Sequence, residues 1–431
     1  MTDRPTPDPA VFERMRAADP ALWEPVYGEY DRARQTARLE AVAAALRASD
    51  ADQAEVEERV EETMRRHAIC FDSFEGVSAP DEPASFAFVV PSRLSRFTPD
   101  FAAEGDELFP IGALLDPPTR QLLWTGAVPL VVDRYRSANG ESGVMLACPL
   151  TPDVVVDLGF EGAFEAAQRL VADAVSFATR RFSARVVGLG AILPRLTDYG
   201  KTVAGDGVAV TTGHGGTTWL VLETLAQLDV APTDVGVVGV GAIGVAVATG
   251  LLDVDGVETV HLFDTNTERA AQVAESLGPR VRSAPTLEAL LTRSAVTVAA
   301  TTSPVDLSGT DVDLTGRWII DDSQPSCFDY HQVEALGGRL CWVVASDGSD
   351  AGTATKYGYW GEVFGYGGTG PVHPSHIWGC EAEAHAIALA GSEADCIREP
   401  VRLDQTRRIG ELCRAAGTAV APLQRAGELL V

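Results

Sequence analysis

Short apolar runs alternate with amphipathic stretches through the middle of the chain. β-Branched and apolar residues form runs of strand length at 235–240, 259–263, 295–300 and 318–321, and helical stretches separate the earlier runs. Strands that alternate with helices in this way are typical of a parallel sheet with helices on both faces. We therefore predict an α/β fold with a doubly wound, Rossmann-type parallel sheet over residues 206–345.

A helical stretch precedes these elements at the N-terminal end. Between Trp23 and Arg66 the residues Ala, Glu and Arg dominate, and Leu39, Val42 and Leu46 recur at helical spacing. This pattern predicts a helical N-terminal extension over 1–84 that packs on the rest of the chain.

The region after the extension has the pattern of a second α/β unit. Three strand-like runs, one helical stretch and a further buried strand follow one another at 85–90, 126–132, 143–147, 160–182 and 184–190. Asn139 and Gly140 form a turn signal between the second and third runs, which predicts a β-hairpin. We assign a substrate domain whose first part covers 85–205 and to which a C-terminal catalytic segment, 346–431, returns.

Gly239, Gly241 and Gly244 follow the first central strand at the spacing G-x-G-x-x-G. The first glycine permits a tight turn, the second lets the backbone approach a pyrophosphate, and the third allows close packing of helix and strand. The following helix presents unpaired N–H groups and its positive dipole end to that anion. Because strand, glycines, helix and second strand stand in register, we predict a dinucleotide site rather than a plain glycine turn.

The acidic residue at the end of the second strand favours NADH. Asp264 can accept hydrogen bonds from the ribose hydroxyls of NAD and would repel the 2′-phosphate of NADP. Because Arg269 is nearby, NADP stays an alternative cofactor. The predicted cofactor-binding residues are Gly239, Gly241, Ala242, Ile243, Gly244, Asp264, Thr265, Thr301, Thr212 and Asp322.

Composition and charge narrow the classes of partner. The 431 residues, of which 46% are hydrophobic, suffice for two or three domains. A net charge of −27 argues against nucleic acid or an anionic membrane as the main partner. No apolar run is long enough to span a membrane, so we expect a cytoplasmic protein, and a homodimer is the commonest assembly for such a chain.

Cysteine and histidine spacing indicates neither a disulfide framework nor a metal site. The seven cysteines are dispersed and never stand at C-x-x-C spacing, which fits reduced thiols in a cytosol. The seven histidines show no H-E-x-x-H spacing, so we expect no metal.

One cysteine lies where a thiol should be reactive. Pro374 is predicted to start a helix and Gly391 to end it, which places Cys380 in the first turns with His376 one turn earlier. A cysteine near a helix N-terminus and an imidazole should have a lowered thiol pKa. The alternative is an inert buried cysteine.

A second segment, 210–219, contains His214 at a predicted helix start. This imidazole could donate a hydrogen bond to a substrate or to the nicotinamide. The alternative is that Gly215 and Gly216 beside it mark a close backbone approach alone.

Taken together, these segments resemble a known family. From about Phe86 to the C-terminus the chain is similar to the long-chain acyl-[acyl-carrier-protein] reductases, which form fatty aldehydes, and to a related group of predicted amino-acid dehydrogenases. The family's G-L/A-L-G-G-F, T-T-G-N-x-x-T, nucleotide-turn, I-D-x-x-x-P and C-F-A-E segments have counterparts in the same order at 188–193, 211–217, 239–244, 320–325 and 380–383. The resemblance implies that Cys380 is the nucleophile that takes an acyl group from a thioester, and that Asp322 and Pro325 shape a loop over the nicotinamide.

The chain departs from the family in ways that bear on substrate and cofactor. Where the family's second strand ends in Ala-Arg, suited to NADPH, this one ends in Asp264. His214 and Glu381 replace the Asn and Phe of the motifs, and a Gly- and Tyr-rich insertion at 356–371 precedes the cysteine. These differences point away from long fatty chains and towards NADH.

The reaction we expect is the NAD(P)H-dependent reduction of an acyl or aminoacyl thioester, carried by acyl carrier protein or CoA, through a covalent thioester on Cys380, with release of an aldehyde. His376 is predicted to activate the thiol or to protonate the oxyanion, and the alternative for it is a capping or exposed histidine. His214 and Pro325 are predicted to contact substrate. A competing hypothesis is an amino-acid or imine dehydrogenase that transfers hydride directly, with Cys380 as a packing residue, and a third is a non-catalytic NAD-binding sensor.

Overall fold

Two β-sheets, each covered by helices, organise the chain. The computed structural model describes residues 7–24, 32–77, 83–91, 110–125, 130–136, 142–148, 150, 152–205, 207–301, 303–323, 326–346, 376–425 and 428–430. The predicted α/β class with parallel sheets is confirmed.

The first sheet has five strands in the order β2-β3-β1-β4-β5. They are β1 (Phe86–Pro91), β2 (Leu130–Arg136), β3 (Ser142–Cys148), β4 (Val186–Leu189) and β5 (Ala209–Thr211). The pair β2 and β3 is antiparallel, as the predicted hairpin requires, although its Asn139-Gly140 turn lies outside the described residues. The other pairs are parallel, and β1 and β4 are buried along their whole length, as expected for strands covered on both faces.

Helices of the N-terminal half pack around this sheet. They are α1 (Pro9–Ala18), α2 (Arg32–Arg47), α3 (Gln53–Val77), α4 (Pro117–Thr125), α5 (Pro152–Phe182) and the short α6 (Leu193–Leu196), with 3₁₀ turns at Pro20–Trp23 and Pro110–Leu114. The predicted helical extension is confirmed, and its apolar face, which includes Phe12, Leu39 and Val42, joins the hydrophobic core of the first sheet.

A buried arginine ties the extension to the rest of this unit. The Arg38 side chain has no exposed surface. Its guanidinium donates hydrogen bonds to the backbone carbonyls of Leu22 and Leu122, each at 2.8 Å, and to that of Glu24. Burial of this charge is tolerated because carbonyl dipoles from separate segments replace the water it loses.

The second sheet has six parallel strands in the order β8-β7-β6-β9-β10-β11. The strands are β6 (Asp234–Val238), β7 (Thr259–Phe263), β8 (Val281–Ser283), β9 (Val296–Ala299), β10 (Trp318–Asp321) and β11 (Arg339–Trp342). The helices among them are α8 (Ala242–Leu251), α9 (Thr267–Leu277), α10 (Leu287–Arg293) and α11 (Tyr330–Ala335). The chain starts in the centre, runs outwards to one edge, and then builds the other half from β9. This is the doubly wound order of dinucleotide-binding sheets, as predicted.

Three further helices lie between the two sheets. They are α7 (His214–Gln227), α12 (Gly379–Ala390) and α13 (Leu403–Ala415). Helix α12 packs against β1 and β4 of the first sheet and against α7, while α7 also packs against α8 of the second sheet. Strand β5 belongs to the first sheet although it lies beyond residue 206, where the sequence analysis placed the boundary. The division into domains stays a prediction.

The helix predicted to begin at Pro374 begins later. Its C-terminal end at Gly391, where φ is +61°, is confirmed, but the helix starts at Gly379. Residues His376–Trp378 form β13, which with β12 (Val344–Ser346) and β14 (Ala419–Val420) makes a three-stranded antiparallel sheet, and β15 (Gln424–Arg425) and β16 (Glu428–Leu429) form a hairpin. Periodicity over so few residues cannot distinguish strand from helix, so the pairing with β12 decides.

The first turns of α7 and α12 are in backbone contact. A Cβ atom at Gly216 would lie 2.2 Å from the carbonyl oxygen of Gly379, and one at Gly379 would lie 2.8 Å from the Cα of Thr217. Non-bonded carbon and oxygen atoms do not approach one another to 2.2 or 2.8 Å. Glycine at both positions is therefore the condition for the two helices to meet here.

We expect Gly216→Ala to lower the free energy of unfolding by about 1–3 kcal/mol, because the added methyl group collides with backbone that cannot move cheaply. Gly205→Ala is the matched control, since a Cβ there would meet nothing within 4 Å. Urea unfolding of both variants checks this. Equal stability of the two variants would contradict the close crossing.

Candidate functional site

Each of the glycines in the turn between β6 and α8 meets a different requirement. Gly239 has φ +92°, and a Cβ there would lie 2.4 Å from the carbonyl oxygen of Ala300. A Cβ at Gly244 would lie 1.9 Å from the carbonyl oxygen of Gly239, so helix and strand touch at this point. A Cβ at Gly241 would meet nothing within 4 Å, and no side chain in the described part of the chain caps the start of α8. The turn therefore leaves open space beside unpaired helix N–H groups, which fits a diphosphate.

Asp264 is anchored beside this turn. Its carboxylate accepts hydrogen bonds from the backbone N–H groups of Val240 and Asn266, each at 2.9 Å. The side chain is partly exposed, and each carboxylate oxygen has a further lone pair for a ribose hydroxyl. The arrangement fits the role predicted for Asp264, with the exposed Thr265 next to it.

Most of the predicted cofactor residues lie along one edge of the second sheet. Ala242 and Ile243 open α8, Thr301 follows β9, and Asp322 follows β10, so all lie at the carboxyl ends of parallel strands. Thr212 does not belong to this edge, because it follows β5 of the first sheet, where its N–H donates to the carbonyl of Ile397 at 3.0 Å. Pro325 lies outside the described residues.

Asp321, which was not among the predicted site residues, organises the loop after β10. Its buried carboxylate accepts hydrogen bonds from the Ser326 hydroxyl at 2.6 Å and from the N–H groups of Ser323, Cys327 and Phe328 at 2.9, 2.9 and 3.1 Å. Burial raises the pKa of Asp321 despite these donors. Burial, and then the charge of Asp321, raise the pKa of Asp322 well above its usual range.

Cys380 lies between the two units. It is the second residue of α12, is half-buried, and packs against both the hydrophobic core of the first sheet and that of the second. A Cβ at Gly213, where φ is +74°, would lie 2.2 Å from the Cβ of Cys380. The backbone just before α7 therefore covers the cysteine.

The prediction of a lowered thiol pKa is wrong for this structure. Burial raises the pKa of the Cys380 thiol to about 12, and the charge of Glu381, followed by that of Glu383, acts in the same direction. The backbone N–H groups at the helix start oppose this shift but do not overcome it. The local sequence pattern indicates the start of a helix, but it does not show that segments distant in the sequence bury the Cys380 thiol.

The geometry predicted for His376 is also wrong. His376 lies on β13, where it pairs with Ser346, and not on the helix that carries Cys380. It is buried, and the Gln424 side-chain amide donates to its Nδ1 at 3.0 Å. His376 and Cys380 therefore do not share a helix face, which was the basis for the catalytic role predicted for His376.

The structure places another histidine next to the backbone that covers Cys380. His214 is the first residue of α7 and directly follows Gly213. Its Nδ1 is buried without a hydrogen-bond partner in the described part of the chain, and its ring packs edge-on against Tyr199 at 6.0 Å. Burial lowers the pKa of His214 to about 4, so the imidazole is neutral at physiological pH and its protonated form is disfavoured.

Glu383 is a second residue to which the sequence alone assigned no role. It lies one turn after Cys380 on α12, is fully buried, and accepts hydrogen bonds from the start of α7. The spacing C-x-x-E places it on the same helix face as Cys380, but the sequence does not show the distant groups that it binds.

The described ranges contain neither a candidate metal site nor a helix that could span a membrane. No group of three or more His, Cys, Asp or Glu side chains in the described ranges could hold a metal ion. Within the same ranges, no helix is both long and apolar enough to cross a bilayer.

Comparisons with known proteins establish no family. No protein-family model and no curated protein matches the chain. Among solved structures, CmnK is 23% identical over 26% of this chain and 37% of its own, with a TM-score of 0.22. Quinate dehydrogenase from Corynebacterium glutamicum in complex with NAD is 15% identical over 78% of this chain and 100% of its own, with a TM-score of 0.34.

L-tryptophan dehydrogenase from Nostoc punctiforme is a further similar structure, 12% identical over 77% of this chain and 89% of its own, with a TM-score of 0.28. Such identities and TM-scores decide neither substrate nor reaction. These must come from the site itself.

Gly241 faces open space whereas Gly244 touches backbone, so substitutions at the two positions give a direct test of the dinucleotide site. We expect Gly241→Ala to leave stability unchanged but to weaken NADH and NADPH binding at least ~10-fold, because its methyl group enters the space for the diphosphate. Gly244→Ala should instead lower the free energy of unfolding by about 1–3 kcal/mol. Urea unfolding and nucleotide fluorescence titration separate the two effects. Unchanged nucleotide affinity in Gly241→Ala would contradict the site.

Proposed function

We propose that this chain is an NAD(P)H-dependent reductase of an acyl or aminoacyl thioester, in which Cys380 takes the acyl group and an aldehyde is released. The observation that carries the proposal is the position of Cys380. A half-buried thiol in the first turn of a helix packs against the cores of both sheets, beside the unit with the dinucleotide turn. The resemblance of segments 188–193, 211–217, 320–325 and 380–383 to acyl-carrier-protein reductases supports it.

The proposed cofactor residues are those at the carboxyl edge of the second sheet. Gly239, Gly241 and the start of α8 would hold the diphosphate, and Asp264 would hold the adenine ribose, which favours NADH. A reduced nicotinamide held there would supply the hydride that converts the Cys380 thioester to an aldehyde, with the cysteine sulfur leaving as a thiolate that then takes up a proton.

Thioester exchange at Cys380 is the first chemical step. The sulfur of Cys380 attacks the acyl carbon, the bond from that carbon to the carrier sulfur breaks, and the carrier leaves as a thiol. Because one thioester replaces another, the exchange is nearly isoenergetic. The carrier is acyl carrier protein or CoA in this proposal.

The proton of the thiol must be removed during this step, since the Cys380 pKa lies near 12. His214 is the proposed acceptor, because its buried Nδ1 has no partner among the described residues and because it directly follows the residue that covers Cys380. Since burial holds its pKa near 4, the imidazole holds the proton only transiently, on its way to the departing carrier sulfur. His376 is the weaker candidate, because it lies on β13 with Gln424 at its Nδ1.

One observation favours the competing function. A thiol with a pKa raised to about 12 is a poor nucleophile in the resting state and suits a packing residue. In that case the chain is an amino-acid or imine dehydrogenase that transfers hydride directly to its substrate. Both functions use the same nucleotide turn and differ in the need for Cys380.

Removal of the thiol distinguishes the two functions. We expect Cys380→Ala to lose at least ~10³-fold of thioester-dependent NADH oxidation, because a nucleophile has no substitute in covalent catalysis. The assay uses acetyl-CoA, octanoyl-CoA and aminoacyl N-acetylcysteamine thioesters. Cys396→Ala is the control, since Cys396 is the other half-buried cysteine among those described. Full turnover by Cys380→Ala would refute the covalent route.

Cofactor preference tests the role of Asp264. We expect the wild-type chain to bind NADH more tightly than NADPH, and Asp264→Asn to weaken NADH binding about tenfold, since a hydrogen bond to a charged group contributes about 1.5–3 kcal/mol. Asp255→Asn, at an exposed position near β7, is the charge-matched control. Tighter binding of NADPH by the wild-type chain would refute the assignment.

A further inference from the structure

Glu383 connects the helix of Cys380 to the start of α7. Its side chain is 0% exposed. One carboxylate oxygen accepts hydrogen bonds from the hydroxyl of Thr211 and from the N–H of Gly213 at 3.2 Å, and the other accepts from the N–H of Gly216 at 2.8 Å. Both oxygens are thus held by groups at the end of β5 and in the first turn of α7.

These contacts supply a cap that α7 does not provide for itself. The first N–H groups of a helix lack partners within the helix, and a nearby Ser, Thr, Asp or Asn usually accepts from them. The N-cap of α7 is Gly213, which has no side chain to do so. A larger residue would collide there, because its Cβ would lie 2.2 Å from the Cβ of Cys380. The cap therefore comes from the facing helix.

Thr211 extends the connection to a third segment. Its hydroxyl donates to Glu383 and accepts from the N–H of Ile397 at 3.0 Å. The next residue, Thr212, donates its N–H to the carbonyl of Ile397 at 3.0 Å. The end of β5, the segment after α12 and the start of α7 are thereby joined through one carboxylate.

We propose that Glu383 is a positioning residue for Cys380, whose carboxylate holds the first turn of α7, with His214, against the thiol. The inference rests on the proposed role of Cys380 as nucleophile. A single arrangement of thiol and imidazole is what a near-attack geometry requires. Burial raises the pKa of Glu383, so an ionised carboxylate at this place is costly, and its position one turn from the thiol indicates a role beyond capping.

The test measures the reactivity of the thiol itself, with iodoacetamide as the probe and peptide mass spectrometry to resolve each cysteine. We expect Glu383→Gln to accelerate alkylation of Cys380 about tenfold, because it loosens the covering backbone and removes a negative charge that disfavours the thiolate. Thr211→Val should accelerate it about threefold, since one hydrogen bond to the carboxylate is lost. Thr211→Ser keeps the hydroxyl and should stay within about twofold of wild type.

Two buried cysteines serve as internal controls. Cys148 on β3 and Cys341 on β11 are 0% exposed, and their alkylation reports general loosening. Acceleration confined to Cys380, with rescue by Thr211→Ser, supports the proposal. It is overturned if Cys380 stays within about twofold of wild type in both Glu383→Gln and Thr211→Val, or if Cys148 and Cys341 accelerate equally. Should Glu383→Gln fail to fold, the Thr211→Val and Thr211→Ser pair decides.

The alkylation result is separate from the proposed function, because it needs no substrate. If Cys380→Ala abolishes turnover while alkylation is unchanged in the variants, the thioester reductase stands and the positioning role fails. If Cys380→Ala remains active, the nucleophile assignment fails, and Glu383 is then a helix cap beside a packing cysteine.

Discussion

The close contact between the first turns of α7 and α12 is the constraint on which the site depends. Gly213, Gly216 and Gly379 carry no side chains, and so the two helix starts approach within backbone distance. The carboxylate of Glu383 then accepts hydrogen bonds from the N–H groups of Gly213 and Gly216, which the N-cap glycine has no side chain to satisfy. Cys380 lies at this contact, between the cores of the two sheets. Any substitution that separates the helices should therefore also alter the burial and reactivity of the Cys380 thiol.

The two sheets divide the proposed chemistry between them. The second sheet offers an open glycine turn beside Asp264, which suits a dinucleotide, and the first sheet supports the helices that place the thiol. The thiol is protonated at rest, because burial and the neighbouring carboxylates raise its pKa to about 12. A reductase of this design would form its nucleophile only when a substrate and a proton acceptor are both in place.

Local patterns were sufficient to predict the second sheet but not the centre of the site. The glycine turn, the alternating strands and Asp264 depend on residues close together in the sequence. The structure shows strand, turn and helix at the predicted positions, with Asp264 beside the turn. The failures at β13 and at the Cys380 pKa have a different origin, since pairing with β12 and burial by Gly213 involve distant segments. The sequence alone assigned Glu383 no role for the same reason, because its donors lie about 170 residues earlier.

Intact-mass spectrometry of the protein mixed with an acyl-CoA in the absence of NADH tests the central claim most directly. The account predicts a mass increase equal to the acyl group in the wild-type chain, located on the peptide that contains Cys380 and absent from Cys380→Ala. Subsequent addition of NADH should remove the adduct and release an aldehyde. NADH oxidation on a thioester without any acyl adduct at Cys380 would contradict the account.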